Sequence, residues 1–319
     1  MIKFTSSLFL AGLLALGLHV ASAQAQLVRT CVSMAKGNDA NSASNCHCTT
    51  PCRTFAVAHA NTFSDGEITV LDPGDYGGLT ITKSISINND SGGEASITVS
   101  GGATGIIVNA PAGGYVNLRG ITIQGVEFGG GGGLTFNTGL FLTLTNCAIR
   151  NHTHDGIFFA PNALSNLSVS NTLVADNGGS GIRVLPHGSG SARVTLSRVE
   201  ANNNSANGIL FDASLTTGEI LATVADSVAA NNNNGIYSRT TQGISNVLVV
   251  RSVISTNRAV GLVAERGASG TATLVVGQST VTWNATTWMN ASATLLSFGD
   301  NNIFGNFDVD PAPPTTAKK

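Results

Sequence analysis

Asp155-Gly156-Ile157-Phe158-Phe159, Ser180-Gly181-Ile182-Arg183-Val184, Asn207-Gly208-Ile209-Leu210-Phe211, Asn234-Gly235-Ile236-Tyr237-Ser238 and Val260-Gly261-Leu262-Val263-Ala264 are five copies of one short motif. In each, a Gly opens a run of apolar or strand-forming residues. The glycines step by 25, 27, 27 and 26 residues. A second track, Asn177, Asn203, Asn231, Asn257 and Asn284, steps by 26, 28, 26 and 27. Upstream of each Asn lies an alternating segment such as Leu167-Ser168-Val169, Val194-Thr195-Leu196 or Val247-Leu248-Val249. Alternation of this kind marks half-buried strands, and no segment keeps a helical apolar spacing for ten residues.

A unit of about 26 residues is too short to close a sheet on itself. It can bury its apolar face only by stacking on the next copy. Stacking brings equivalent strands into parallel register about 4.8 Å apart. The pattern therefore predicts an all-β chain, a right-handed parallel β-helix of about nine or ten coils. Gly provides close approach or positive φ where a coil turns. Asn tolerates the left-handed region and can bond to the next Asn in a ladder, so a structural role is expected for the Asn track. Less regular strand-like segments, including Ile68–Leu71, Ile85–Ile87 and Ile97–Val99, extend the pattern towards the N-terminus. The run Gly129–Gly133 reads as a loop protruding from one coil.

Composition agrees. Charged residues are 11% of the 319, and the net charge is −2. The 16 cations are too dispersed for the basic stripe of a nucleic-acid surface. Disorder is excluded by a hydrophobic fraction of 42%. The 38 glycines follow no three-residue period, which excludes collagen.

Residues 1–23 read as an export leader, with Lys3, an apolar run from Leu8 to Val20, and Ala21-Ser22-Ala23 for cleavage. Export favours disulfides among Cys31, Cys46, Cys48 and Cys52 over a zinc site built on Cys46-His47-Cys48 and Cys52. Spacing does not fix the pairing. Cys147 sits in an apolar strand and reads as a buried, inert thiol. Residues 24–66 form the expected N-terminal cap, with a short helix at Phe55–Ala60. Residues 67–308 are the β-helix, and 309–319 a loose tail.

The repeats resemble the right-handed parallel β-helix superfamily that includes pectate lyases. Pro51–Ala56, Gly66–Ile68, Leu71–Gly77 and Thr80–Ile85 resemble a group of exported bacterial β-helix proteins of unknown activity. The resemblance implies fold and export and carries no activity. The Leu71–Gly77 block reads as a turn with Pro73 and Gly74 at its corner. Polygalacturonases of the superfamily carry Asn-Thr-Asp, Asp-Asp and Gly-His-Gly, and none of the three occurs here; Pro186-His187-Gly188 is the nearest echo.

One looser patch contains Arg150, His152, His154, Asp155, Asp176, Arg183 and His187 within two coils. A His and a carboxylate on one exposed face can do acid–base work. The spacing places Asp176 over Arg150 or Asn151, so a surface ion pair is the plain alternative. Outward positions of the Gly-Ile strands give a row, Phe158, Arg183, Leu210 and Tyr237, suited to sugar stacking or protein contact. The expected function is an exported protein, periplasmic or secreted, that binds an extended polysaccharide at the cell envelope without standard pectinolytic catalysis. A lyase or glycosidase using the Arg150–His187 patch and a structural or adhesive surface protein are the alternatives. No metal, cofactor or nucleic acid is expected, nor a membrane span after leader removal, and the chain is expected to be a monomer.

Overall fold

A computed structural model describes residues 26–41, 45–90, 92–126 and 129–318. The leader proposed for residues 1–23 lies outside them. The chain forms a parallel β-solenoid of about nine coils. One sheet of nine parallel strands runs along the stack, through Leu79–Ile81, Ile106–Asn109, Leu134–Thr138, Ile157–Phe159, Ile182–Val184, Asn207–Asp212, Asn234–Thr240, Val260–Arg266 and Thr286–Ala291. A second sheet of 19 strands supplies the other faces, with two strand columns in most coils. Side chains alternate in and out as pleating requires. The inward columns hold Ile157, Ile182, Ile209 and Ile236 beside Phe136, Phe159, Val184 and Phe211, all buried. Phe136 and Phe159 stack at 4.4 Å between centroids. Each such side chain contributes about 1.5–3 kcal/mol by leaving water.

Two bends per coil are built alike: a left-handed residue, then a buried polar one. At the first, Asn146, Asn171, Arg198, Asp226, Arg251 and Gln278 have φ between 47° and 55°. Behind them Thr172, Ser227, Ser252 and Ser279 stack, each hydroxyl accepting a backbone N–H from the neighbouring coil. Cys147 starts this column, its thiol bonded to Thr145 O as Ser227 bonds to Ala225 O. Burial pushes that thiol up. At the second bend, Asn151, Asp176, Asn203, Asn231, Thr256 and Trp283 have φ between 53° and 63°.

The residues behind the second bend form the Asn ladder: Asn177, Asn204, Asn232, Asn257, Asn284 and Asn306. Each amide bonds to the next at 2.8–3.2 Å. This corrects the expected track at two rungs. Asn203 and Asn231 are the left-handed residues, and their neighbours Asn204 and Asn232 are the rungs. Spacing could not choose among Asn202-Asn203-Asn204 or Asn231-Asn232-Asn233, because adjacent asparagines fit equally.

The motif glycines form a column, Gly78, Gly105, Gly133, Gly156, Gly181, Gly208, Gly235 and Gly261. A Cβ on Gly156, Gly181, Gly208 or Gly235 would lie 2.5–2.8 Å from the carbonyl of the next glycine. Close approach between coils is their requirement. The Gly129–Gly133 run joins this packing, so the expected protruding loop is corrected. Gly130, Gly131 and Gly133 are buried, and Gly130 pairs with His152 across the coils.

The N-terminal end is sealed. Leu27–Val32 pairs in parallel with Thr62–Val70, and disulfides join Cys31 to Cys48 and Cys46 to Cys52. The helix Phe55–Asn61 starts at Thr54, whose hydroxyl accepts Val57 N–H, and it buries Phe55 against Tyr76. Asp72, in the Leu71–Gly77 block, binds Ser33, Met34 N–H and Tyr76. That block ties the cap to the first coil. At the other end, residues 309–319 were expected as a loose tail, and the described ones run to Lys318. Trp288 donates to Pro311 O at 3.0 Å, Thr315 pairs with Ser297, and Lys318 meets Asp300 at 2.5 Å.

Buried His59 accepts Thr82 N–H beneath the cap. Burial, with Lys83 as a second cause, pushes its imidazole down to about 4. The folded value lies below the unfolded 6.5, so this stabilisation is complete above pH 6.5 and is lost as pH falls through 4. The full loss is about 3 kcal/mol, from a fall from 6.5 to about 4 at roughly 1.4 kcal/mol per unit. His152, also lowered by burial, adds to it. Melting curves between pH 7 and 4 should show this drop, and His59→Gln should flatten it; equal slopes would exclude His59 as the cause.

Candidate functional site

The outward row of the nine-stranded sheet is in true register. Phe158 pairs with Arg183, Arg183 with Leu210 and Leu210 with Tyr237, one per coil. Three steps separate Phe158 from Tyr237, about 14 Å along the axis. Phe158, Arg183 and Tyr237 are half-buried, with one side open to solvent. Leu210 is buried, at 7% exposure. The longer side chains of Arg183 and Tyr237 flank it, so it serves as floor rather than as a contact surface.

Charged residues surround the row. The Arg183 guanidinium lies over the Phe158 ring, 5.6 Å from its centroid. It stands 3.9 Å from both Asp155 and Asp212. Arg239 approaches Asp212 at 3.6 Å, and the Tyr237 hydroxyl donates to Glu265. Asp155 belongs to a polar column just before the glycines. It accepts Ser180 N–H at 2.6 Å, Asn207 bonds to Ser180, and Asn234 to Asn207.

On the N-terminal side the coil at Gly132 has no side chain at the matching place. That leaves a pocket of about 260 Å³ lined by Thr104, Gly132, Thr135, His154, Asp155, Phe158 and Arg183. Burial pushes the Asp155 carboxyl above the usual carboxylate range, opposed by the Ser180 N–H, Arg183 and His154. A carboxyl of this kind beside an exposed imidazole can exchange protons with a bound molecule.

The pocket brings together His154, Asp155, Phe158 and Arg183 from the patch and row read in the sequence. The other four patch residues stand elsewhere, and Leu210 and Tyr237 continue the row beyond the pocket. Arg150 projects from Ala148–Arg150 and donates to Gln124 at 3.0 and 3.2 Å. It makes no ion pair with Asp176 among the described residues. Asp176 is a left-handed bend residue stacked on Asn151, and it accepts from Asn203 at 3.2 Å. His187 lies in the connection after Ile182–Val184, its N–H bonded to Pro161 O. His152 is fully buried. It fills the ladder position before Asn177, donating its N–H to the Asn177 side chain, while Nε2 meets Ile123 O. Its interior place removes it from the exposed face expected for it.

Asp212, Arg239 and Glu265 were not singled out in the sequence. Asp212 and Arg239, 27 apart, are directly paired, as are Arg239 and Glu265, 26 apart. Extending the Gly register four residues past the motif glycine would have found them. A larger depression, about 670 Å³, lies on the 19-stranded sheet beside Leu221, Leu248, Val275, Leu296 and Phe298, with Arg193 its one charged residue. It is roomier than the pocket, yet it holds no pair of groups able to exchange protons. The pocket is the better site.

No family model matches the chain, and no curated protein matches it. Among solved structures, pectate lyase Pel9A superposes with a TM-score of 0.56 at 16% identity, over 85% of this chain and 75% of that one. The A-modules of the Azotobacter vinelandii mannuronan C-5 epimerases AlgE4 and AlgE6 give TM-scores of 0.41 and 0.45 at 14% and 12% identity. They cover 80% and 79% of this chain, and 91% and 89% of their own. The class defined by fold is the parallel β-helix of Pel9A. Among the described residues no helix is long and apolar enough to cross a membrane.

Proposed function

We propose that the outward face of the nine-stranded sheet binds an extended polysaccharide lying along the solenoid axis. The observation that carries this reading is the in-register row Phe158–Arg183–Leu210–Tyr237, with aromatic rings three coils apart and hydrogen-bonding groups between them. Rings offer a platform to the apolar faces of sugars, and Asp, Arg and Tyr groups offer partners to hydroxyls. Pel9A, a pectate lyase by name, has the same fold. The two disulfides support a place outside the cytosol, in the periplasm or beyond the cell. The chain acts as a monomer in this reading.

Affinity electrophoresis against a polysaccharide panel tests it. Phe158→Ala and Tyr237→Ala should each weaken retardation about tenfold, the loss of roughly 1–1.5 kcal/mol of ring contact. Binding unaffected by both substitutions would sink the reading. The raised Asp155 carboxyl beside His154 favours a second reading, a lyase or glycosidase. Unsaturated or reducing ends released in the same assay would decide for it.

A further inference from the structure

We propose that this face recognises an uncharged glycan and discriminates against uronate polymers; the inference rests on the polysaccharide reading above. Each guanidinium on the row or its flank already faces a carboxylate. Arg183 stands between Asp155 and Asp212, and Arg239 is against Asp212. Glu265 takes the Tyr237 hydroxyl. Two cations thus face three acids. A sugar carboxylate reaching for Arg183 would also approach Asp155 and Asp212, and like-charge juxtaposition in a half-buried site is costly.

The same geometry suits hydroxyls. The contacts of Arg183 with its two acids, at 3.9 Å, are longer than hydrogen bonds. Its Nε is buried without a partner among the described residues. Its charge is balanced by the two carboxylates, and with Nε buried the donors left for a ligand are the terminal N–H groups at the exposed end of the guanidinium. Neighbouring hydroxyls can accept from Arg183 and donate to Asp155 or Asp212 in one arrangement. Phe158 lies beneath the guanidinium and Tyr237 two coils beyond it, so ring contacts bracket this polar station. A hydroxyl-rich, uncharged chain meets every group on the face; a polyanion meets acids that outnumber the cations.

The test measures binding of the intact protein to neutral β-glucan, galactan and xylan, and to polygalacturonate and alginate. At least one neutral polymer should bind at least about tenfold more tightly than either uronate. Asp212→Asn keeps an acceptor for Ser214 N–H but removes the acid that Arg183 and Arg239 share, leaving two cations facing two acids. It should raise uronate affinity about tenfold or more; because it also loses a carboxylate acceptor for sugar hydroxyls, it should not raise neutral-glycan affinity, so the preference for neutral polymers narrows or reverses. Asp155→Asn should act in the same direction and covers the case in which the buried Asp212 variant fails to fold. Tyr237-dependent binding of uronates in preference to neutral glycans would overturn the uncharged substrate and leave the polysaccharide reading standing. No binding to any polymer would overturn both.

Discussion

Asn232→Ala is expected to lower the unfolding free energy by about 4 kcal/mol, while Asn231→Ala, one residue away, costs no more than about 1 kcal/mol. The Asn232 carbonyl oxygen accepts from Asn204 N–H at 2.9 Å and from the Asn204 amide at 3.0 Å. Its own amide donates to Ala201 O at 2.9 Å and to Asn257 at 3.2 Å. Alanine would orphan donors and acceptors in a fully buried place, at about 1–3 kcal/mol for each group left without a partner. Single substitutions above 4 kcal/mol are uncommon and usually mark such a broken buried network. Asn231 is exposed, and the structure requires of it only a left-handed backbone, φ 59°. Alanine there incurs the left-handed penalty of about 1 kcal/mol, and Asn231→Gly should be neutral or better. Urea unfolding of the three variants checks the contrast. Equal losses at 231 and 232 would mean that the ladder amides add nothing beyond backbone geometry.

That pair of residues also shows what a period can and cannot reveal. The 26-residue repeat is a property of stacking, so it survives in the sequence wherever coils stack. It predicted the parallel strands, the glycine column and the outward row that runs from Phe158 to Tyr237. The cap helix was legible too, as a short segment at Phe55–Ala60 covering the open end of the coils. A period does not set phase within a run of identical residues, and three adjacent asparagines supply the same track in three registers. Backbone conformation decides between them: the exposed left-handed residue comes first and the buried rung second.

The candidate site was half legible for a related reason. His152 and His154 are two apart and looked like one concentration of imidazole. The bend between strands places the first in the ladder, facing Ile123 O, and the second at the pocket rim. Arg150 and Asp176 were matched by count alone. Of the two expected partners of Asp176, Arg150 or Asn151, the register selects Asn151, because Arg150 overlies Ala175 one position earlier. The acids that balance Arg183 were within reach of the same arithmetic. Asp212 follows Leu210 by two, as Arg239 follows Tyr237, and both flank the row on the same side of the sheet.

Gly133→Ala should destabilise the protein by at least about 3 kcal/mol, and Gly132→Ala by no more than about 0.5 kcal/mol. The five glycines look interchangeable in sequence, yet they occupy different surroundings. A Cβ on Gly133 would lie 2.3 Å from Ile149 Cγ2 and 2.5 Å from Gly156 O. Both neighbours are fixed, one in the core and one in the glycine column, so coils would have to separate. Overpacking of well-packed interiors costs about 1–3 kcal/mol and more where backbone blocks the way. At Gly132 the nearest atoms to a Cβ are Asp155 O at 3.6 Å and Thr104 Oγ1 at 3.7 Å, ordinary contacts. Alanine there narrows the unfolded ensemble without a clash. Because Gly132 lines the pocket beside Asp155 and Arg183, Gly132→Leu fills that space in an otherwise normal fold. Thermal melts separate the two glycines, and polysaccharide retardation of Gly132→Leu tests the pocket. A stable Gly133→Ala protein would show that the coils are not held at the spacing the glycine column sets. Undiminished retardation of Gly132→Leu would place the bound chain on the row from Phe158 to Tyr237 alone.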